Sequence, residues 1–278
     1  GGVQKTGAGK LILSGANTYA GGFELAAGSV EIQSATAFGS GKVTSSSTTN
    51  PQIYFNAPDA TITNDFDFTS AAGGGSWSAP GFMAQANAVL TGDFSWTKET
   101  YGGAAANVAL TFEGTVGTAG NSFVSIESAG STVRFKGPVL ASTFYTGFRY
   151  NHTGTAYLHS SANACNEYYK AAGLTVCEDE NVLGGGALQM YPSSGGSNCG
   201  TLDMNGHDQS VTMITYYWKA TTLPTAESTT GVITSSSGSP TFTVTGTGTA
   251  GTNVSYYQFD GAVNVVVDAN ASYKQQFV

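Results

Sequence analysis

The sequence predicts an all-β fold and, within that class, a β-solenoid built from two diverged copies of one module. Short runs of alternating apolar and polar residues are separated by Gly, Ser or Asn turns at intervals of roughly 10 to 20 residues, which is typical of strands with one buried face. The sequence also repeats itself at long range and is poor in the Asn-Gly and Asp-Gly pairs that close tight hairpins. Stacked coils that share one continuous core account for all three observations.

The first strands follow one another in a regular order: Leu11–Leu13, Val30–Ile32, Ile53–Phe55 and Thr61–Thr63. Frequent glycines and the lack of a sustained 3.6-residue period argue against long helices. With about 22 residues per coil and about 4.8 Å of rise per coil, the chain predicts a rod on the order of 60 Å long.

The repeat relates residues 28–43 to residues 173–188 without a gap. We expect a first solenoid module over residues 1–145 and a second over residues 146–278, continuous and without a linker. Residues 66–130 and 215–250 fit the pattern poorly, and the sequence leaves open whether they form extra coils or loops. The best-matched pairs are Gly28 with Gly173, Gly39 with Gly184, Gly41 with Gly186, Phe38 with Leu183 and Asn17 with Asn163.

Composition excludes several classes of protein. The chain has 278 residues, of which 10% are charged, against the roughly 25% usual for globular proteins. Its 14 Tyr, 15 Phe and 3 Trp argue against disorder, because disordered chains have no core to fill. A net charge of −8 with only 10 Lys and Arg disfavours a nucleic-acid partner. No apolar run reaches the about 18 residues of a membrane helix, so membrane insertion is not expected.

Residues 6–22, TGAGKLILSGANTYAGG, resemble the autotransporter-associated β-strand repeat. Residues 24–43 and 173–211 continue the resemblance, while residues 154–170 keep Asn163 but place Cys165 where Tyr19 sits. The resemblance implies a right-handed parallel β-helix displayed outside a bacterial cell or on its surface. It implies no catalytic residues and no cofactor, because the repeat of that family carries none.

The three cysteines do not have the spacing of a zinc site. Cys177 and Cys199 lie 22 residues apart, about one coil, so we expect that they can stack as a disulfide in an oxidising compartment. The alternative is that these two and Cys165 are inert, half-buried thiols.

The two ends of the chain resemble the halves of one motif. Joining residues 271–278 to residues 1–9 restores a stretch typical of the repeat, and neither end shows the polar cap that solenoids need. The sequence therefore predicts a stacking interface between copies of the chain, end to end, formed by Gly1, Gly2, Val3, Phe277 and Val278. The alternative is a boundary placed at a convenient glycine.

Other residues suggest chemistry, each with a plainer explanation. Asp65 and Asp67 share a strand face and, with Asp59, have the residue types of polysaccharide hydrolases, but a solvent-facing alternation with Phe66 and Phe68 inward explains them too. The pair at 207–208 suggests half a triad or a turn, and the acidic run at 178–180 a calcium site or a solvated turn. We predict no metal and no cofactor.

The aromatic residues exceed the number that inward positions need, and exposed aromatics stack on sugars or cover corners of the solenoid. The predicted function is a structural extracellular or cell-surface segment, one period of a fibre or stalk, and not an enzyme. The first alternative is an adhesin that binds glycans or a host surface, and the second is a polysaccharide-processing β-helix enzyme.

Overall fold

The computed structural model describes residues 1–71, 75–76, 79–96, 98–118, 120–147, 153–190, 200–215, 231–246 and 257–268. Within these ranges the chain forms strands and turns and no helix. Apart from one antiparallel hairpin, every strand pair is parallel, with each strand bonded to the equivalent strand of the next coil. The fold is therefore a parallel β-solenoid, as the sequence predicts.

Each complete coil visits three faces in a fixed order. The first face contains a five-stranded sheet of β1 (Val3–Lys5), β3 (Phe23–Leu25), β5 (Val43–Ser45), β8 (Phe66–Phe68) and β13 (Phe94–Trp96). Single parallel bridges extend it through Val116, Val139 and Ala164. By their place in chain order, β24 (Gln209–Val211), β27 (Thr241–Val244) and β29 (Asn264–Val267) continue this face.

The second face is a sheet of ten strands. Its members are β2 (Lys10–Leu13), β4 (Ser29–Ile32), β6 (Gln52–Phe55), β11 (Phe82–Ala84), β14 (Thr100–Ala104), β16 (Ser122–Glu127), β18 (Thr143–Thr146), β20 (Glu167–Lys170), β22 (Ala187–Met190) and β25 (Met213–Thr215). Ten strands leave nine spacings of about 4.8 Å, so this sheet extends for roughly 43 Å along the axis.

The third face is a sheet of nine strands that begins only in the third coil. It contains β7 (Ala60–Ile62), β12 (Ala88–Leu90), β15 (Ala109–Phe112), β17 (Thr132–Phe135), β19 (Thr155–Leu158), β21 (Leu174–Cys177), β23 (Thr201–Asp203), β26 (Gly231–Thr234) and β28 (Tyr257–Phe259). In the first two coils, turns at 14–22 and 33–42 take its place.

The core is a continuous column of inward side chains, mostly aromatic in the middle of the rod. Alternate residues of each strand point inward, and register places like on like: Phe66 stacks on Phe94 with ring centroids 4.2 Å apart, and Phe112 on Phe135 at 5.2 Å. All four rings are buried. Stacked, buried rings add to the hydrophobic stabilisation of neighbouring coils, and this explains the aromatic content of a chain with so few charges.

The two module copies have the same local structure but lie on different faces. Asn17 Nδ2 donates to Ala37 O at 2.7 Å, and its counterpart Asn163 Nδ2 donates to Val182 O at the same distance. Strand β4 of the first copy lies on the second face, whereas its counterpart in the second copy, β21, lies on the third. The strands that follow, β5 to β7, are displaced in the same sense relative to β22 to β24. The second copy is thus rotated by one face, one third of a turn about the axis.

Residues 66–130, which fit the repeat poorly, form regular coils in register with the rest. Among the described residues of this range, the one departure is a short antiparallel hairpin of β9 (Gly75–Ser76) and β10 (Ala79–Pro80), inserted before β11. The β-ladders also continue without a break across residue 145. The division into modules at residues 145 and 146 stays a prediction.

Candidate functional site: the two ends and a charged interior cluster

The N-terminal end of the solenoid is built on glycine contacts. Gly21 N donates to Gly1 O at 3.0 Å, and a Cβ on Gly2 would lie 2.7 Å from Gly21 O, so only glycine fits at this approach. Val3 pairs with the buried Phe23 in the inward column, yet its side chain is 36% exposed. The end coil therefore presents a core residue to solvent.

The last described strand presents core residues in the same way. Val265 and Val267 pair with the buried Phe242 and Val244, and their side chains are 37% and 38% exposed. The predicted interface residues Phe277 and Val278 lie outside the described residues. Both ends of the described solenoid thus show inward-facing apolar side chains and strands with one unpaired edge.

Whether Cys177 and Cys199 can stack as a disulfide depends on the number of residues in the coil that follows Cys177. Val176 pairs with Asp203, so the coil that follows Cys177 has 27 residues (203 − 176), more than the 22 that separate the two cysteines. Cys177 is buried, and burial raises the pKa of its thiol. Cys199 lies outside the described residues, so the pairing stays a prediction. Cys165 occupies the place of Tyr19, its thiol contacts Leu183 O at 3.2 Å, and burial raises its pKa to about 12.

The aspartates at 59, 65 and 67 make separate local contacts and do not converge. Asp65 Oδ1 accepts from Asp93 N at 3.1 Å in the next coil, and Asp93 Oδ1 accepts from Thr115 N at 2.7 Å in the coil after that. Asp59 accepts from Asn87 Nδ2 at 3.2 Å. These carboxylates satisfy backbone and amide groups at a corner of the rod, which is a structural use.

Asp67 binds its neighbour Thr69 at 2.6 Å and faces Lys42 at 3.6 Å. Hydrogen bonding by Thr69, which outweighs the opposing effect of partial burial, holds the pKa of this carboxyl below its usual value. The flanking Phe66 and Phe68 are buried, as the plainer explanation predicts.

The other candidate residues also make structural contacts. Asp208 Oδ1 accepts from Thr241 N at 2.6 Å, so it serves the next coil and not its own turn. His207 Nδ1 lies 3.5 Å from Glu180 Oε1, and Glu178 binds Arg134, whose guanidinium stacks over Tyr157 at 4.3 Å. In the described part of the chain, no group of three or more His, Cys, Asp or Glu is placed to hold a metal.

The predicted surplus of aromatics divides into two groups. Phe144 and Tyr168 point into the core, whereas Tyr145 and Tyr169 stack on the outer side of the second face with ring centroids 4.3 Å apart. Phe148, Tyr150, residues 216–218 and Tyr256 lie outside the described residues.

A polar network on the outer side of the second face surrounds Glu31. Its carboxylate accepts from Asn56 Nδ2 at 2.9 Å, from Lys10 Nζ at 2.9 Å and from Gln33 Nε2 at 3.0 Å. These hydrogen bonds, led by that of Asn56, lower the pKa of Glu31 to about 2. Lys10 also lies over the ring of Tyr54 at 4.6 Å. The network links the second face across three successive coils.

The interior contains a charged cluster that sequence reasoning did not identify. Glu127 at the end of β16 and Lys170 at the end of β20 are both completely buried. Ser125 Oγ donates to Glu127 Oε1, and Oε2 has no hydrogen-bond partner among the described residues. Lys170 Nζ donates to Ala172 O at 2.6 Å. Among the described residues the two side chains form no direct ion pair.

Hydroxyl groups line the same interior space. Thr146 Oγ1 lies 2.6 Å from the Tyr168 hydroxyl and 3.0 Å from Thr175 Oγ1, and all three residues are buried. Burial raises the pKa of Glu127 and lowers that of Lys170 to about 8, because desolvation penalises the charged form of each group. In the sequence this cluster is marked only by the alternating run from Phe123 to Glu127. That run does not indicate that its polar residues face the core.

Comparison with known proteins identifies a family repeat in the first coils of the chain. Residues 3–32 match the family described as passenger-associated-transport-repeat. No curated protein and no solved structure matches the chain. No helix in the described ranges is long and apolar enough to cross a membrane. Residues 3–32 contain β1 to β4 and the first glycine turn, the segment that resembles the autotransporter-associated repeat. The chain therefore carries an autotransporter passenger repeat within a β-solenoid, and this kind of repeat implies a secreted or cell-surface protein.

Proposed function

We propose that the chain is a structural segment of a surface-displayed solenoid, one period of a fibre or stalk whose copies stack end to end. The observation that carries the proposal is the exposure of inward-facing side chains on the first and the last described strands. Inward-facing Val3 on the first strand and Val265 and Val267 on the last described strand are partly exposed, and within the described ranges each of these strands pairs on one edge. Pairing β29 of one copy with β1 of the next would bury these side chains and extend the first face across the junction.

Two further features support a structural role. Corner carboxylates such as Asp65 and Asp93 are occupied with backbone groups of the next coil, and residues 3–32 match a passenger-associated-transport-repeat. A stack with one repeated heterologous contact does not close on itself, so it grows into a filament.

The experiment is sedimentation velocity over a concentration series with two matched variants on β29. Val265→Asp places a charge on the inward side of the end strand, and Val266→Asp places it on the outward side, where the side chain is 46% exposed. We expect the unaltered chain and Val266→Asp to associate, and Val265→Asp to remain monomeric. A monomeric unaltered chain at every concentration would refute stacking, and so would equal association of the two variants.

A second candidate, a glycan-binding adhesin, is favoured by the position of the long connections. Three lead from the second face to the third: residues 147–154, 191–200 and 216–230, with eight, ten and fifteen residues. The equivalent connections after β14, β16 and β20 have only three or four. Insertions between the strands of a repeat protein commonly form its binding side, and the sequences of these three segments contain several aromatics. A glycan array tests this candidate: selective binding that is lost when 216–230 is shortened would support it, and no binding would count against it.

A further inference from the structure

We propose that Lys170 and Glu127 condense into an amide bond inside the solenoid, a covalent tie between the coil of β16 and the coil of β20. The bond would skip the coil between them, that of β18, and join side chains that both point into the core. It deepens the proposed structural function, because a cross-link between coils strengthens a stalk, but its chemistry does not depend on that function.

The geometry brings both side chains to one backbone position, Gly147. A Cβ built on Gly147 would lie 3.2 Å from Lys170 Nζ and 1.9 Å from Ala172 O, so glycine is required there. The backbone amide of the same residue interacts with the Glu127 carboxyl. The amine and the carboxyl thus approach one glycine from the coils on either side of it. Among the described residues, Lys170 Nζ donates to Ala172 O alone, and Glu127 Oε2 has no hydrogen-bond partner.

Burial also shifts both groups toward their reactive forms, against the opposing attraction between their charges. A neutral amine is the nucleophile and a protonated carboxyl the electrophile, and desolvation favours both neutral forms. Ser125 Oγ donates to the carboxyl and the Gly147 amide favours its charged form, so both groups would stabilise negative charge on its oxygen as the amine adds. Exclusion of water from the core protects the product from hydrolysis.

The reaction balances without an oxidant or a second reactant. Lys170 Nζ attacks Cδ of the protonated Glu127, and a C–N bond forms. The C–OH bond then breaks, and the hydroxyl leaves with a proton from the amine as one water molecule. One secondary amide remains, and no charge is left in the core.

The first test is the intact mass of the purified, denatured chain, followed by mass spectrometry of its peptides. We expect a mass lower than that of the sequence by one water molecule, and one branched peptide that joins the segments around residues 127 and 170. The sequence mass with no branched peptide would overturn the proposal, as would a water loss mapped to another pair of residues.

Variants separate the cross-link from accidental dehydration. Lys170→Met should restore the full mass, and Lys136→Met, at a surface ion pair with Glu113, should leave the water loss unchanged. Glu127→Gln offers an amide in place of the acid, so its reaction would release ammonia and the mass deficit would change from one water to one ammonia. A water loss that persists in Lys170→Met would contradict the proposal. Because mass is read on the denatured chain, a failure here is distinct from a failure of end-to-end stacking.

Discussion

Asn163→Ala, compared with Asn17→Ala, tests how much the same asparagine of the repeat contributes to stability in each of the two module copies. The Asn163 side chain is buried and joins three coils: Nδ2 donates to Val182 O at 2.7 Å, and Oδ1 accepts from Val139 N at 2.7 Å. Its counterpart Asn17 lies in the first coil, is half-buried, and donates to Ala37 O. The same residue of the motif therefore bears two backbone contacts in one copy and one in the other.

The expected cost follows from those contacts. Alanine at 163 strands one buried N–H and one buried C=O, each at about 1 to 3 kcal/mol, so the free energy of unfolding should fall by about 2 to 6 kcal/mol. Asn17→Ala removes one donor to the buried Ala37 O, which keeps its hydrogen bond from the Tyr19 hydroxyl at 3.1 Å, so the change should cost about 1 kcal/mol or less.

The assay is urea unfolding followed by circular dichroism, with the two variants and the unaltered chain compared at matched slopes. Repeat arrays can unfold in parts, so hydrogen exchange at Val139 N provides a local check. Equal costs for the two variants, or a cost at Asn163 below about 0.5 kcal/mol, would refute the reasoning.

Three further predictions concern the turn, the core and a surface carboxylate. Gly39→Ala should destabilise strongly, because Gly39 has φ +66° and an added Cβ would lie 2.1 Å from Tyr19 O. Gly15→Ala should be tolerated, because the space around Gly15 is open, and thermal unfolding distinguishes the two variants. Phe94→Ala removes a buried ring and should cost about 3 to 5 kcal/mol in urea unfolding, and a cost under about 1 kcal/mol would contradict the stacked core. In the folded chain the pKa of Glu31 is lowered from 4.5 to about 2, so its contribution to the free energy of unfolding is present above pH 4.5 and is lost as the pH falls toward 2. Glu31→Gln should make stability less dependent on pH over that window, and an unchanged acid profile would exclude this role.

The sequence was sufficient for the architecture because solenoid repeats fix local structure. Paired glycines such as Gly39 and Gly184 both adopt positive φ, and both occupy the turn that the alignment predicts. The exchange of Tyr19 for Cys165 was also visible in the sequence. In the structure Tyr19 lies against Gly39, and Cys165 lies against Gly184 in the equivalent turn of the second copy. Local motifs of this kind carry their own conformation wherever they occur.

Rotation of the second copy by one face was not predictable. Coil lengths vary from 19 residues, between Lys10 and Ser29, to 33, between Gln209 and Phe242. The offset of 145 residues between the two copies therefore does not determine on which face each strand of the second copy lies.

The interior cluster was hidden for a different reason. All positions of β16 after Ser122 are buried, so both sides of the strand are covered and alternation does not distinguish core from surface. Polar residues such as Ser125 and Glu127 are normally assigned to the outer side, and only the three-dimensional register shows them inside.

Negative-stain electron microscopy over a concentration series tests the central claim most directly. The account predicts straight filaments with the width of one solenoid and an axial repeat of roughly 50 to 60 Å, one chain per repeat. Short separate rods at every concentration would contradict end-to-end stacking, and compact round particles would contradict the solenoid itself.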